Sequence, residues 1–245
     1  MLPQARAILR TALDAVLPPR CLKCGDILGG ENGLCAACWQ KLAWLAPPCC
    51  ACCGQPFAFE SDAGSLCGAC LQQRPAYDRA RAVFRYDDES RDLILGFKHA
   101  DRTELAPTLA RWMARSGAEL VADCTLIVPV PLHWTRLALR RFNQAGLLAQ
   151  AIGRLSGRAV EPEALTRKRA TRSQGHLGRS ARRRNVQGAM AATERLRPQI
   201  EGQRILLADD VITTGATVET AAKALISAGA AAVDVLALAK VVRAD

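Results

Sequence analysis

Hydrophobic and polar positions follow a helical rhythm at the start of the chain and a mixed strand and helix rhythm from residue 82 onward. Over residues 2–17, Ala5, Ile8, Leu9, Ala12, Leu13, Val16 and Leu17 fall at helical spacing. This predicts an amphipathic helix stopped by Pro18-Pro19. Such a helix either packs on its own domain or meets a partner or membrane surface. Further along, Ala82-Val-Phe-Arg-Tyr86 reads as a strand. Ser90 through Lys98 reads as a helix with Leu93, Ile94 and Phe97 inward, and residues 103–116 give a second helix. Thr125-Leu-Ile-Val-Pro-Val130 is a β-branched apolar run with Pro129 near its end, hence a strand. A third helix follows at 144–155. Ile205-Leu-Leu-Ala208 is a buried strand, Val218–Ala228 a helix ending at Gly229, and Ala232–Leu238 a last buried strand ending near Lys240. Apolar strands alternating with amphipathic helices predict an α/β fold with a parallel sheet.

The strand at 205–208 runs into Asp209-Asp210-Val-Ile-Thr213-Thr214-Gly215-Ala216-Thr217, where the next helix begins. Ligands of open α/β sheets bind beyond the carboxyl ends of the strands. There, backbone N–H groups at the helix start, with the hydroxyls of Thr213, Thr214 and Thr217, suit a phosphate. Asp209 and Asp210 suit a sugar diol, directly or through Mg²⁺. No Lys follows Gly215, so this is not a Walker loop. The thirteen positions resemble the 5-phosphoribosyl-1-pyrophosphate (PRPP) motif of type I phosphoribosyltransferases. A second anion site is expected after the 125–130 strand, where Pro131 leads to Arg136, Arg140 and Arg141 ahead of a helix. Arg140 is the candidate catalytic cation, with Arg136 and Arg141 beside it. Lys98, at a helix end, could reach a phosphate, although a solvated terminal Lys is the commoner arrangement.

Cysteine usage adds a separate module. Cys21/Cys24, Cys35/Cys38, Cys50/Cys53 and Cys67/Cys70 are four C-x₂-C knuckles at zinc-ligand spacing. The segment repeats itself: Cys21-Leu-Lys-Cys24-Gly25 matches Cys50-Ala-Cys-Cys53-Gly54, and Leu34-Cys35-Ala-Ala-Cys38 matches Leu66-Cys67-Gly-Ala-Cys70. Repetition favours two Cys₄ zinc sites paired in sequence order over an interleaved arrangement. Gly54 after the second Cys favours the 50/53 register over Cys49/Cys52, because such knuckles turn through a positive-φ residue. Cys124 reads as a small core residue. The expected division is an amphipathic helix at 1–20, a double zinc ribbon at 21–74 and an α/β domain at 75–245. Few basic residues fall within 21–73, so the ribbons suit structural or protein-docking use better than nucleic-acid contact.

Charge points to anionic ligands: the chain carries a formal net charge of +10 over 245 residues. No stretch is apolar enough to span a membrane, and Arg6, Arg10 and Asp14 interrupt any signal-peptide core. Both observations lead to an expected cytoplasmic location, where a chain with eleven cysteines uses them for metal ligation rather than disulfides, eight of them in the paired knuckles. Between Glu163 and Glu194 there is no acidic residue, while Arg167, Lys168, Arg169, Arg172, Arg179, Arg182, Arg183 and Arg184 crowd together. An active-site loop, a nucleic-acid patch and a plain solvated loop all fit this composition. His176, one His among polar residues, carries no catalytic assignment.

The chain as a whole resembles the ComF or GntX-like proteins, in which double zinc ribbons precede a phosphoribosyltransferase domain. The resemblance rests on the Cys pairs, Val128-Pro-Val-Pro-Leu132, Arg140 with Phe142-Asn143-Gln144, the run from Arg167 through Thr171, Gln174 and Leu177 to Asn185, and residues 205–217. Two positions depart from the family pattern: Arg141 stands where a Gly is usual, and Phe97-Lys-His-Ala-Asp-Arg102 also lacks its Gly. The resemblance implies a type I phosphoribosyltransferase sheet with a hood, PRPP and Mg²⁺ as ligands, competence or DNA-uptake roles with partners in that machinery, and single-stranded DNA association in some members. A phosphoribosyl transferase, a non-catalytic PRPP sensor that binds single-stranded DNA, and a zinc-ribbon adaptor with a vestigial catalytic domain are the expectations it leaves in competition.

Overall fold

A computed structural model describes residues 18–30, 33–99, 102–133, 142–168 and 188–242. The amphipathic stretch at 2–17, the cationic positions Arg136, Arg140 and Arg141, and the Arg-rich run at 169–187 lie outside the described residues, as does the Lys98 side chain. The chain divides into two compact units, residues 1–43 and 44–245. The second zinc ribbon therefore belongs to the same unit as the sheet.

The first unit contains α1 (Ala36–Lys41), N-capped by Cys35, whose Sγ accepts the Cys38 N–H. The second holds α2 (Gly68–Gln72), β1 (Arg79–Arg85), α3 (Asp88–His99), a 3₁₀ turn at Thr103–Leu105, α4 (Ala106–Ser116) and α5 (Ala118–Asp123). It continues through β2 (Leu126–Pro129), α6 (Gln144–Ser156), β3 (Ala159–Val160), β4 (Leu165–Arg167) and β5 (Met190–Ala192). After a 3₁₀ turn at Glu194–Leu196 come α7 (Arg197–Ile200), β6 (Arg204–Ile212), α8 (Ala216–Ser227) and β7 (Ala232–Lys240). Five strands form one parallel sheet in the order β1-β7-β6-β2-β3. Its central strands β2, β6 and β7 are buried on both faces, which is why they read as largely apolar runs.

The two faces differ in what covers them. Ile205, Leu207, Val233 and Val235 share one core with Val218, Ala221 and Leu225 of α8 and with Cys50, Cys52 and Cys70. Alternation sends Leu206 and Leu236 to the other face. Gly117, between α4 and α5, lies against Leu236: a Cβ there would sit 2.7 Å from a Leu236 methyl. A separate two-stranded antiparallel sheet pairs β4 with β5 and forms the stem of the Arg-rich run. Lys168 N–H donates to Ala189 O at 2.9 Å, closing that stem.

Docking of the second ribbon on the sheet is specific. Ala80 N–H donates to Cys52 O at 2.6 Å, and Leu45 N–H to Val83 O at 2.8 Å. Trp44, Phe84 and Trp112 pack edge to face, with centroids 4.8–5.8 Å apart. Gly25 and Gly54 both take positive φ, at 81° and 66°. Only Gly54 is also sterically pinned, since a Cβ would lie 2.4 Å from Ala80 O, whereas nothing lies within 4 Å of one on Gly25. Gly54→Ala is therefore expected to cost at least about 2 kcal/mol in urea unfolding and Gly25→Ala about 1 kcal/mol, since only the first combines left-handed strain with a backbone clash. Equal costs would remove the docking contact from the explanation.

At the end of the sheet opposite the Thr213–Thr217 turn, Asp234 is fully buried and accepts from Arg79 (Nε 3.0 Å, Nη2 2.7 Å) and from Arg204 Nη1 at 2.9 Å. A buried carboxylate needs such partners. The pairs fasten the start of β7 to β1 and β6.

Candidate functional site

In both ribbons the cysteine sulfurs gather as the repeat requires. Cys21, Cys24, Cys35 and Cys38 form one group and Cys50, Cys53, Cys67 and Cys70 another, the sulfurs of each lying within 4.8 Å of one another. Four sulfurs at ~2.3 Å from zinc would be separated by ~3.8 Å in a tetrahedron. Cys24 Sγ and Cys35 Sγ lie 3.7 Å apart, and Cys53 Sγ and Cys67 Sγ 3.6 Å. Soft thiolate donors in closed sets of four suit structural Zn²⁺ with no open position. Cys52, almost fully buried, stays outside the group, with its Sγ 4.0 Å from Tyr77 O.

The local fold prepares these sulfurs for metal. Burial raises the Cys21 thiol, but the N–H groups of Cys24, Cys35 and Lys23 overcome it and bring the pKa down to about 6. At Cys50 burial is likewise overcome, by the N–H groups of Cys67, Cys53 and Cys52, giving about 7. Cys67 N–H donates to Cys50 Sγ at 3.3 Å, and Cys35 N–H to Cys21 Sγ at 3.3 Å. One thiolate per site is thus available near neutrality, while Cys38, Cys53 and Cys70, pushed up by burial, release protons as metal binds.

The second constellation lies at the carboxyl end of β6. The strand continues past the apolar run to Ile212, so Asp209 and Asp210 both lie on it. Asp209 is 8% exposed and its Oδ1 accepts the Asp210 N–H at 2.9 Å, which fixes that carboxylate. Val211 and Ile212 keep pairing with β7 through Ala239 and Lys240. The chain then turns through Thr213 and Thr214 to Gly215, which caps α8 at φ 82° in the left-handed region where Gly is favoured. Thr214 Oγ1 accepts the Ala216 N–H at 3.4 Å. The remaining N–H groups of the first turn of α8, with its dipole, are a donor set of the kind that suits an anion.

The strand order places two neighbours beside this turn. On one side Val130 N–H donates to Ala208 O at 2.9 Å, so the Pro131 turn leaves β2 next to Asp209. Asn143 Nδ2 donates to Val130 O at 3.1 Å, fastening the start of α6 to the same turn. Arg167 Nη1 reaches Pro131 O at 3.4 Å, joining it to the β4–β5 stem. On the other side β7 ends at Lys240, which is 7% exposed, and Val241 N–H donates to Ile212 O at 2.9 Å. Two carboxylates are a hard-oxygen donor set of the kind that holds Mg²⁺ together with substrate oxygens.

Sequence reading missed residues at this site. Gln73, Arg74, Tyr77, Glu219 and Lys240 line one cavity with Gly215 and Ala216. Lys240 carried a signal: it is a lone cation closing an apolar parallel strand adjacent to the motif strand. The others carried none, because they meet the turn only through the tertiary fold.

Comparison with known proteins accords with both constellations. The double zinc ribbon domain family matches residues 12–71, and the phosphoribosyl transferase domain family residues 163–243. DNA utilization protein YhgH of Salmonella typhimurium (strain LT2) is 36% identical over 215 residues, covering 85% of this chain and 90% of that one. Competence protein F of Haemophilus influenzae is 31% identical, covering 90% and 96%. Competence protein ComFC of Bacillus subtilis is 26% identical, covering 84% and 83%. With its zinc ribbons, its parallel sheet and these relatives along most of their length, the chain belongs to the ComF family of double zinc ribbon and phosphoribosyltransferase-domain proteins.

Proposed function

We propose that this protein binds PRPP with Mg²⁺ and transfers its phosphoribosyl group to a nucleophile, releasing pyrophosphate, in a cytoplasmic process of DNA uptake or utilisation. The observation that carries this reading is the β6–α8 junction, where two carboxylates near the end of the strand precede, in one continuous segment, a turn with a left-handed Gly cap. The 5-phosphate would take the N–H groups and hydroxyls of Thr213, Thr214, Gly215, Ala216 and Thr217, and the ribose diol would take Asp209 and Asp210. Arg136, Arg140 and Arg141 follow β2 in sequence and would neutralise the departing pyrophosphate. Mg²⁺, when bound, would offset pyrophosphate charge and orient the diol.

As the C1–O bond breaks, its electron pair leaves with pyrophosphate, and the sugar carbon gains oxocarbenium character. The nucleophile forms the new bond to C1 and gives up its proton. The protein's part is to hold both ends of the sugar, place negative carboxylates near the developing positive charge, and exclude water. Isothermal titration with PRPP and Mg²⁺, followed by a pyrophosphate-release assay over bases and oligonucleotides, tests the reading. The expected result is micromolar PRPP binding and acceptor-dependent release. Absence of PRPP binding would overturn it.

A second reading is favoured by the acid-free stretch 164–193: a PRPP sensor that binds single-stranded DNA without transferring phosphoribosyl. It predicts PRPP binding without release, and DNA affinity that falls steeply with salt.

A further inference from the structure

Lys240 is a buried charge that the fold itself does not pair. It closes β7, is 7% exposed, and stands in register with Ile212, the residue before the Thr213–Thr217 turn. Among the described residues no carboxylate or other acceptor engages its ammonium. An ammonium withdrawn from water is costly unless an anion meets it.

The side chain lines a cavity of about 270 Å³ whose two sides differ chemically. One side carries Cys53, Cys67 and Cys70 of the second Cys₄ group, and the other carries the turn from Thr213 to Ala216. The other charged side chains of the wall are already engaged. Arg74 is hydrogen-bonded to Cys52, whose sulfur stays outside the Cys₄ group. Glu219 accepts the Ala76 N–H at 2.8 Å and pairs with Lys223 at 2.9 Å. Amides and hydroxyls supply the remaining polarity, so Lys240 is the charge left to answer an anion here.

Two anions can adjoin this cavity. The first is the metal centre: four thiolates around one Zn²⁺ leave a net charge of about −2, which a partly buried site must offset. Lys240 already acts on that side, since burial pushes the Cys53 thiol up and the Lys240 charge is the strongest influence opposing it. The second is a phosphate on the Thr213–Thr217 turn, where the N–H groups at the start of α8 supply dipoles but no full charge. Val241 N–H donates to Ile212 O at 2.9 Å, which holds the end of β7 beside that turn.

From this geometry we infer that Lys240 is a cation shared by the second zinc centre and a phosphate monoester on the Thr213–Thr217 turn. It is the outer counter-charge of the tetrathiolate and the charged donor to the phosphate. An ammonium has three donors, so it can face thiolates on one side and phosphate oxygens on the other. The inference rests on the phosphoribosyl reading of the β6–α8 turn and goes beyond it by joining ligand binding to the metal centre.

The test needs no turnover. Lys240→Met and Lys240→Gln remove the charge, and Lys240→Arg keeps it. Each zinc-loaded full-length variant is mixed with an excess of a colorimetric zinc chelator to follow metal release, and is titrated calorimetrically with ribose 5-phosphate. Circular dichroism confirms that it is folded. In the neutral variants one of the two zinc equivalents is expected to leave at least about fivefold faster, and the other at its parental rate, as befits a change next to one metal's ligands. Ribose 5-phosphate affinity is expected to fall at least about tenfold, the loss typical of one charge-assisted hydrogen bond. Lys240→Arg is expected to lie closer to the parent in both. A merely structural role would reverse that order, because Met fits the space of the lysine stem better than Arg does. Parental zinc release, equal acceleration of both equivalents, or parental ribose 5-phosphate affinity in a folded neutral variant would overturn the shared cation and leave the phosphoribosyl site standing. Failure of ribose 5-phosphate to bind the parent would overturn both.

Discussion

Replacing Asp209 and Asp210 together by Asn is expected to reduce PRPP affinity by roughly 10²–10⁴-fold, because two charge-assisted contacts of about 1.5–3 kcal/mol each are lost. Asn keeps the shape and the ability to accept a hydrogen bond, so Asp209 can still receive the Asp210 N–H that orients it at the strand end. On the proposed reading, what would disappear is the negative charge facing the diol, its Mg²⁺ and the sugar carbon as pyrophosphate leaves. The loss should fall on pyrophosphate release as well as on binding, since charge that develops only in the transition state is stabilised by the same carboxylates. Titration of PRPP with Mg²⁺, with circular dichroism as the check on folding, measures the binding part. An affinity unchanged within threefold in a folded double variant would remove both carboxylates from the ligand site.

The part of this site that lies in one continuous segment was legible in the sequence. Strand, acids, turn and helix follow one another from Ile205 to Thr217, and each step has its own local signature. The cysteine groups were legible for a similar reason: a C-x₂-C knuckle is local, and the repeat says which knuckles belong together. The structure gathers the sulfurs in that order and places Gly25 and Gly54 at positive φ. Short and non-local elements were not legible. β3 has two residues, and β4 and β5 have three each, too few to show a period, and β4 pairs with β5 only across the intervening Arg-rich run. Asp234 has no local signature in the sequence. It is a buried anchor, because Arg79 lies 155 residues away in sequence and Arg204 30. The cavity beside the Thr213–Thr217 turn was invisible for the same reason, as it joins residues 73–77 to 215–219 and 240.

Cys50→Ser should release one of the two zinc equivalents and lower the melting temperature of the sheet unit by more than about 10 °C. Cys50 is fully buried, accepts N–H groups from Cys53 and Cys67, and shares its core with Ile205 and Val233 of the sheet. Metal binding at a structural ribbon amounts to about 10–16 kcal/mol in isolated peptides, comparable to or above the stability of a whole domain. Even half of that, felt by a unit of this size at roughly 2–4 °C per kcal/mol, gives the stated shift. Cys52→Ser is the matched control: Cys52 is just as buried and two residues away, yet its sulfur is not among the four that gather, so the chain should keep both zinc equivalents. Zinc quantification with thermal melts followed by far-ultraviolet circular dichroism separates the two variants. If Cys50→Ser kept both equivalents and melted with the parent, the second ribbon could not be a metal-dependent part of the sheet unit. If it loses one equivalent and melts early, zinc at that ribbon stabilises the very fold that carries Asp209, Asp210 and the Gly215 turn.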